Sequence, residues 1–489
     1  MSGPTGPVVW ADVPPFPTAA KKQLAKEEQR ATLSRVTHQI RAKRAAVVHE
    51  RDDWEDLRRA GEQIKTRVLR HLDTYLEQAE QALTDAGVTV HWAVDADHAN
   101  RIIYALVSET GETEVVKVKS MATAEIGVNE FLAKRGITAV ETDLAELIVQ
   151  MAGDRPSHIV VPAIHRNRTE IRDIFTEHMP GVPDDLTDDP AQLAGQARRH
   201  LRQKFLRANV AISGANFVVA DSGTLCIVES EGNGRMCLTL PDTLISVVGI
   251  EKIVPTFADL EVFLQLLPRS STGERMNPYT SLWSGVTPGD GPQNMHVVFL
   301  DNGRTKALAD PVGRQALRCI RCSACLNSCP VYERTGGHAY GSVYPGPIGA
   351  ILTPQLRGMD DPVDRALPFA SSLCGACYEV CPVRINIPQV LTHLRGKAVD
   401  HDRENRKRGV ERTAFRAATF GFDNDLLYNA GLSAGLPAAH VAAGKDGLRW
   451  LPFLGGKWTA SRDVIRPPRQ SFRRWWKQQT RAPAEQGEP

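Results

Sequence analysis

Hydrophobic and polar positions alternate with a different period in each part of the chain. Up to about Glu50 the sequence is polar, rich in Lys, Arg, Glu and Ala, with few large apolar residues. The stretch AAKKQLAKEEQRATLSRVTHQIRAKRAAVVHERDD favours helix, and its sparse apolar positions predict exposed helices lying on the body. Next, Leu57, Ile64, Val68, Leu72, Leu76 and Leu83 fall near helical spacing, with Gly87 placed as a C-cap. That spacing predicts an amphipathic helix. From Val88 the period changes. VTVHWAV alternates as a strand, DADHANRIIYALV reads as a helix and EVVKVKS as a strand. MATAEIGVNEFLAKRG reads as a helix ending in Gly, ITAVET as a strand and DLAELIVQMAG as a helix. SHIVVPAI reads as a buried strand and RTEIRDIFTEHM as a helix. Short apolar runs follow: VAISGANFVVA, GTLCIVES, RMCLTLP and LISVVGI. Strands alternating with helices predict βαβ units and a mainly parallel sheet, from about Val88 to about Leu267.

The segment RSSTGERMNPYTSLWSGVTPGDGPQ is rich in Gly, Pro and Ser and reads as a long loop. HVVFLDNGRTKAL adds one more strand and turn. The predicted organisation is a helical N-terminal extension at 1–87, an α/β body at 88–300, a cysteine-bearing region at 301–400 and a basic C-terminal segment at 401–489. That last segment holds 16 Lys and Arg against 9 Asp and Glu, a surplus of seven. Its Phe472, Arg473, Arg474, Trp475 and Trp476 form a short basic, aromatic stretch suited to a membrane surface or a partner. With only a turn or two available, a partner or the protein's own body is preferred.

Composition narrows the class. A chain of 489 residues suggests about three units. Hydrophobic residues at 42% and charged residues at 24% fit a globular protein and exclude a mainly disordered or collagen-like one. A net charge of +2 gives no global basic field, so nucleic acid is not expected as a partner. No run of 18 apolar residues predicts a transmembrane segment. The start, MSGPTGPVVWADVPPFP, has no basic region followed by an apolar stretch, so a cytoplasmic location is expected.

The chemistry lies in the cysteines. Seven of nine fall between Cys319 and Cys381. Clustered thiols in a chain without a secretory signal read as metal ligands, not as disulfides. The first motif, CIRCSACLNSCP, places Cys319, Cys322, Cys325 and Cys329 in the C-x2-C-x2-C-x3-C-P spacing of two-cluster ferredoxins. Three thiolates two residues apart wrap one iron–sulfur cube, and the fourth faces the other cluster. The second motif, CGACYEVCP, holds Cys374, Cys377 and Cys381. Crossed ligation assigns Cys319, Cys322, Cys325 and Cys381 to one cluster, and Cys329, Cys374 and Cys377 to the other. Ser371 stands where a complete second motif would have its first cysteine. The fourth corner is then a serine-ligated iron, an open iron, or absent in a 3Fe–4S cluster. A closed zinc site needs only two C-x2-C pairs and no C-P step, so two iron–sulfur clusters are the preferred reading. Cys226 and Cys237, in apolar runs read as strands, are expected to be small core residues.

The run CIRCSACLNSCPVYERTGGHAYGSVYPGPIGAILTP, followed by SSLCGACYEVCPVRINIP, resembles the lactate-utilisation iron–sulfur protein B family. VVKVKSMATAEIGVNEFL, RPSHIVVPAIHRNRTEIRDIF and ISGANFVVADSGTLCIVESEGNGR are similar to that family's LUD domain. LPFLGGKW and SRDVIRPPRQSFRRWW are similar to its C-terminal segment. The serine before the second motif is also what the family shows. The resemblance implies an α/β body with the fold of the CoA-transferase and ribose-5-phosphate-isomerase-like group, joined to a small α-helical two-cluster ferredoxin-type domain. It implies action with two partner proteins in oxidising L-lactate to pyruvate, with the clusters carrying the electrons to an acceptor that is not identified.

Other residues have two readings each. Asn216, Glu231 and Asn233 lie in turns between strands; Gly and Asn there account for tight turns, and the alternative is a carboxylate or phosphate pocket at strand ends. Lys117 and Lys119 share one sheet face and would be costly there unless paired with an anion. His165 and Arg166 follow SHIVVPAI and could reach the same crevice. The glycines of GGHAYG, at 336–341, could let backbone N–H groups approach a cluster, and His338 reads as a satisfied turn residue. Three functions follow. The leading one is an electron-transfer subunit, not catalytic alone. A self-contained 2-hydroxy-acid oxidoreductase with substrate in the LUD domain is the second, and a non-redox regulatory or assembly module with structural clusters the third. No G-x-G-x-x-G opens a helix after a strand, so no dinucleotide site is expected.

Overall fold

The structure is a computed structural model and describes residues 8–10, 12–405, 410–444, 447–451, 455–459 and 464–481. The opening MSGPTGP and positions 452–454 and 460–463 of the tail lie outside the described residues. Packing divides the chain into units 1–401 and 402–489.

In the first unit, six strands form a parallel sheet. They are β1 (Thr89–Ala93), β2 (Glu114–Lys117), β3 (Thr138–Glu141), β4 (Val210–Gly214), β7 (Thr243–Gly249) and β10 (Asn294–Leu300), in the order β1-β10-β7-β4-β2-β3. Every residue of the central β4 and β7 is buried. Their unbroken apolar runs are what a parallel sheet covered on both faces demands. A second sheet runs β8 (Ile253–Val254), β5 (Phe217–Val219), β6 (Thr224–Glu229) and β9 (Tyr279–Trp283). The mainly parallel α/β body expected from the alternating pattern is present.

Four local expectations are corrected. VAISGANFVVA is two strands, β4 and β5, which join different sheets. RMCLTLP is not a strand: Asn233–Thr239 is a helix, so Cys237 sits on a helix while Cys226 sits in β6. The Glu229 carboxylate accepts the Gly234 and Arg235 N–H groups at that helix start, where an anion offsets the exposed donors. The Gly/Pro/Ser-rich loop contains β9, which pairs with β6 along its length. SHIVVPAI forms no strand; residues 157–164 are turns. There the His158 Nδ1 accepts the Val160 and Val161 N–H groups at 3.1 and 3.0 Å, and the Ser157 N–H goes to the Pro162 carbonyl. A side chain has taken donors that a sheet neighbour would otherwise claim. Two predicted helices are also broken, one at His71 and one at Gly127, whose φ of +65° suits glycine.

The N-terminal helices do not simply lie exposed on the body. Glu27–His49 buries Leu33 and Thr37. Its Ser34 donates to Glu333, and Arg44 reaches the Val380 carbonyl. From the next helix, Trp54–Arg70, Arg58 donates to the Cys381 carbonyl at 3.0 Å. One hydrophobic core therefore contains Leu33 and Trp54 of the extension, Phe217 and Phe263 of the body, and Cys325, Leu352 and Val390 of the cysteine region. Polar contacts to distant carbonyls dock helices whose apolar content alone looked insufficient.

In the second unit, Val410–Asp423, Asp425–Ala442 and Phe472–Arg481 are helices. Phe472, Trp475 and Trp476 are exposed, and the Phe472 and Trp476 rings stack at 6.0 Å. Among the described residues no helix is long and apolar enough to cross a membrane.

Candidate metal centres and the adjoining cavity

Cys319, Cys322, Cys325 and Cys381 line one small interior cavity, walled by Ile159, Ile320, Ile348, Val383, Ile385 and Ile387. Burial, then the charges of Cys319 and Cys381, pushes the Cys322 thiol up to about 12. Cys329, Cys374 and Cys377 gather in a second group. Burial, then charges on Cys329 and Cys374, pushes the Cys377 thiol up to about 12. The two motifs thus exchange one cysteine each in space: Cys381 joins the first group and Cys329 the second.

The donor chemistry fits an iron–sulfur group. Three buried thiols and the partly buried Cys319, set in an apolar shell, suit soft, positively charged iron as thiolates. Backbone N–H groups point at three of the sulfurs: Arg321 to Cys319 at 3.4 Å, Tyr332 to Cys329 at 3.5 Å and Ile385 to Cys381 at 3.3 Å. Such bonds stabilise thiolate. They need unusual backbone, and Arg321, Ser323, Leu373 and Arg384 have φ of +62°, +63°, +57° and +50°. The buried Ser323 hydroxyl also lines the first cavity and has no protein partner among the described residues.

The second group is built differently. Ser372, Leu373 and Cys374 are exposed. The Ser371 hydroxyl oxygen accepts the Leu373 N–H at 3.1 Å, and its carbonyl accepts from Arg395 at 3.0 Å. Ser371 thereby shapes the turn that presents Cys374.

A larger cavity of about 360 Å³ opens at the carboxyl ends of β2, β4 and β7, where Lys119, Ser120, Asn216, Glu251 and Lys252 line it. Open α/β sheets bind ligands at such ends. It shares two wall residues, Ile159 and Arg321, with the first cysteine cavity. Gly214 stands at its floor, where an added Cβ would collide with the Ser120 hydroxyl. Of the residues singled out in the sequence, Lys119, Asn216, Glu231 and Asn233 line this cavity, and Lys117 and His165 do not. Lys117 is buried in an ion pair with Glu141 at 2.8 Å, and Lys119 pairs with Asp143 at 3.1 Å. Asn216 accepts the Val228 N–H, Glu231 the Leu144 N–H, and Asn233 donates to Thr142. Burial, reinforced by the Asp143 charge, raises the Glu231 carboxyl.

His165 belongs to a separate polar cluster. Its Nε2 meets Asp154 at 2.9 Å and its Nδ1 meets Ser157 at 2.7 Å, while Arg166 holds Asp154 at 2.5 Å. The His338 ring lies 4.6 Å from the His165 ring, and its Nε2 donates to the Arg155 carbonyl. The glycines after the first motif approach the rest of the protein: a Cβ on Gly337 would strike the Ser157 carbonyl, and one on Gly336 would meet Gln29.

Spacing did not reveal the buried ionic network between the two cavities. Arg304 pairs with Glu125 at 2.8 Å and with Glu251, and Arg321 pairs with Glu251 at 3.1 Å. Tyr344 donates to Glu125 at 2.6 Å, and the Arg321 guanidinium lies 4.9 Å from the Tyr344 ring. Lys65 donates to the Glu251 carbonyl. Burial pushes the Glu251 carboxyl up, but the Arg304 and Arg321 charges outweigh it and hold it near 2. The available signal was Arg321 itself, a cation between two motif cysteines.

The chain is similar to known proteins along most of its length. The LUD domain family matches residues 76–300, and the 4Fe-4S dicluster domain family matches residues 315–385. Lactate utilization protein B of Oceanobacillus iheyensis is 40% identical over 469 residues, 95% of this chain and 96% of that one. An uncharacterized electron transport protein of Escherichia coli, YkgF, is 40% identical over 471 residues, 94% of this chain and 96% of its own. A crystal structure of a DUF162 family protein from Deinococcus radiodurans covers 47% of this chain and 98% of its own, with 15% identity and a TM-score of 0.26.

Proposed function

Because the chain belongs to the lactate utilization protein B family, we propose that it is the iron–sulfur electron-transfer subunit of a cytoplasmic complex that oxidises L-lactate to pyruvate with two partner proteins. The observation that carries this reading is the convergence of Cys319, Cys322, Cys325 and Cys381 on one apolar cavity, with Cys329, Cys374 and Cys377 in a second group. Those two sets would hold two clusters, with Ser371, at the position of the second motif's missing first cysteine, a candidate for the incomplete corner. Clusters so held supply one-electron transfer, and no carbon chemistry is asked of them.

The chain's own residues prepare the sites. The isoleucine wall excludes water from the first set of thiolates. The N–H groups of Arg321, Tyr332 and Ile385 stabilise negative charge on three sulfurs. Glu251, neutralised by Arg304 and Arg321, fixes the first motif loop against the body. The test is anaerobic purification, iron and sulfide analysis, and lactate-dependent dye reduction with and without the partners. About seven to eight irons per chain are expected, and reduction only in the assembled system. Stoichiometric zinc with negligible iron, or robust lactate oxidation by the pure chain, would overturn the reading.

A further inference from the structure

The cavity at the carboxyl ends of β2, β4 and β7 contains one cation with no direct ion pair among the described residues. Its other cations are paired: Lys119 with Asp143, and Arg304 and Arg321 with Glu251. Lys252 lines the same cavity and has no hydrogen-bond or ion-pair partner among the described residues. It is surrounded by protein yet keeps part of its surface open, as an amine facing an interior cavity does. Burial, with help from the Arg321 charge, brings its pKa down to about 8. A cation held there without a partner is costly unless an anion meets it. The buried Thr272 hydroxyl and Asn277 Oδ1, from two residues of the wall, also have no hydrogen-bond partner among the described residues. Asn277 Oδ1 can only accept, so it calls for a donor.

We propose that this cavity binds a small 2-hydroxy or 2-oxo carboxylate, with the Lys252 ammonium receiving the carboxylate and Asn277 Oδ1 accepting from the 2-hydroxyl. A volume of about 360 Å³ lies at the small-metabolite end of ligand pockets. One free ammonium matches one carboxylate. A second negative charge would face the carboxylates of Asp143, Glu229 and Glu231 elsewhere on the wall, so a phosphate dianion suits the site less well. The shared wall of Ile159 and Arg321 puts the ligand one side-chain layer from the first cysteine set.

The inference rests on the electron-transfer reading and locates its substrate on this chain. The test uses the full chain, purified anaerobically with its iron, titrated calorimetrically with L-lactate and with pyruvate. Both should bind. Lys252→Met should weaken both by more than about tenfold at unchanged iron content, whereas Lys252→Arg should stay within about threefold of wild type. Asn277→Ala should weaken L-lactate more than pyruvate, because only lactate offers the hydroxyl. Ligand should also shift the paramagnetic resonance of the reduced protein, and Lys252→Met should abolish the shift at the same ligand concentration. Absence of binding by iron-loaded wild type, or equal binding by Lys252→Met, overturns the inference. If the assembled complex still oxidises lactate in that case, the electron-transfer reading survives alone; if the chain holds no iron, both fall.

Discussion

The two cysteine sets share a ligand spacing and differ in everything around it. The first faces an isoleucine-lined interior and is held from behind by Glu251, Arg304 and Arg321, all nearly inaccessible to solvent. The second has Cys374 exposed between Leu373 and Gly375, on a turn shaped by the Ser371 hydroxyl. One motif thus serves two environments, and the surroundings, not the spacing, set how each site responds to water, chelators and substitution.

Deleting one ligand from each set separates the two most strongly. Cys381→Ala should remove the iron of the first set, about four of about eight atoms, and leave the signal of the second. Cys374→Ala should do the reverse. Anaerobic iron analysis with paramagnetic resonance reads both, and loss of the second set's signal instead of the first's in Cys381→Ala would refute the exchange of cysteines. In the same experiment, a limiting amount of chelator should strip the second set first.

The support behind the first set comes next in size. Glu251→Gln leaves two buried guanidinium groups short of a counter-charge and should cost about 3–5 kcal/mol in denaturant unfolding. Glu62 pairs with Arg318 at 2.5 Å and Arg384 at 3.1 Å, but is partly open to solvent. Glu62→Gln should cost about 1 kcal/mol or less. Equal losses would mean that burial does not separate the two networks.

Legibility in the sequence followed the range of the interaction. Cysteine spacing is written within twelve residues, and strand and helix periods within about ten. The β4 and β7 runs were readable because both faces are buried. Glu251 and Arg304 are 53 positions apart, and Glu125 and Arg304 are 179 apart, so no local pattern could pair them. SHIVVPAI failed for a related reason. Its apolar run fits a strand, but His158 and the cysteine region satisfy the local polar groups: Asn327 meets the His158 ring and the Tyr332 hydroxyl donates to the Ser157 carbonyl. Lys117 and Lys119 were recognised as needing anions, and Glu141 and Asp143 supply them.

His158 offers a pH-resolved test of the joint beside the first set. Its Nδ1 accepts two backbone N–H groups, so the proton sits on Nε2, toward Asn327. Burial holds the folded ring's pKa near 4, below the ordinary 6.5. Between those values the unfolded chain binds more protons. The contribution of His158 is therefore complete above pH 6.5 and is lost as pH falls toward 4, by about 1.4 kcal/mol per unit at most. Wild type should lose stability more steeply than His158→Gln from pH 6.5 to 5, and parallel curves would contradict the assignment.

The smallest expected effect on stability is at Ser371. Ser371→Cys should change folding free energy by less than about 0.5 kcal/mol, because the position is half-exposed. It should still alter the resonance signal and potential of the second set relative to wild type and Ser371→Ala. Identical spectra for all three would make Ser371 a turn residue and nothing more.

The arginine grip on the second motif also has a consequence for biosynthesis. Arg44 and Arg58 close contacts with Val380 and Cys381 over 336 and 323 positions of sequence. On a ribosome adding about 5–20 residues per second, the N-terminal helices emerge roughly 15–65 s before the carbonyls they hold. Through that interval Leu33 and Trp54 have no covering surface of their own chain from the cysteine region. The earliest part of the protein to be made is therefore among the last to reach its final contacts, and translation speed sets how long it waits.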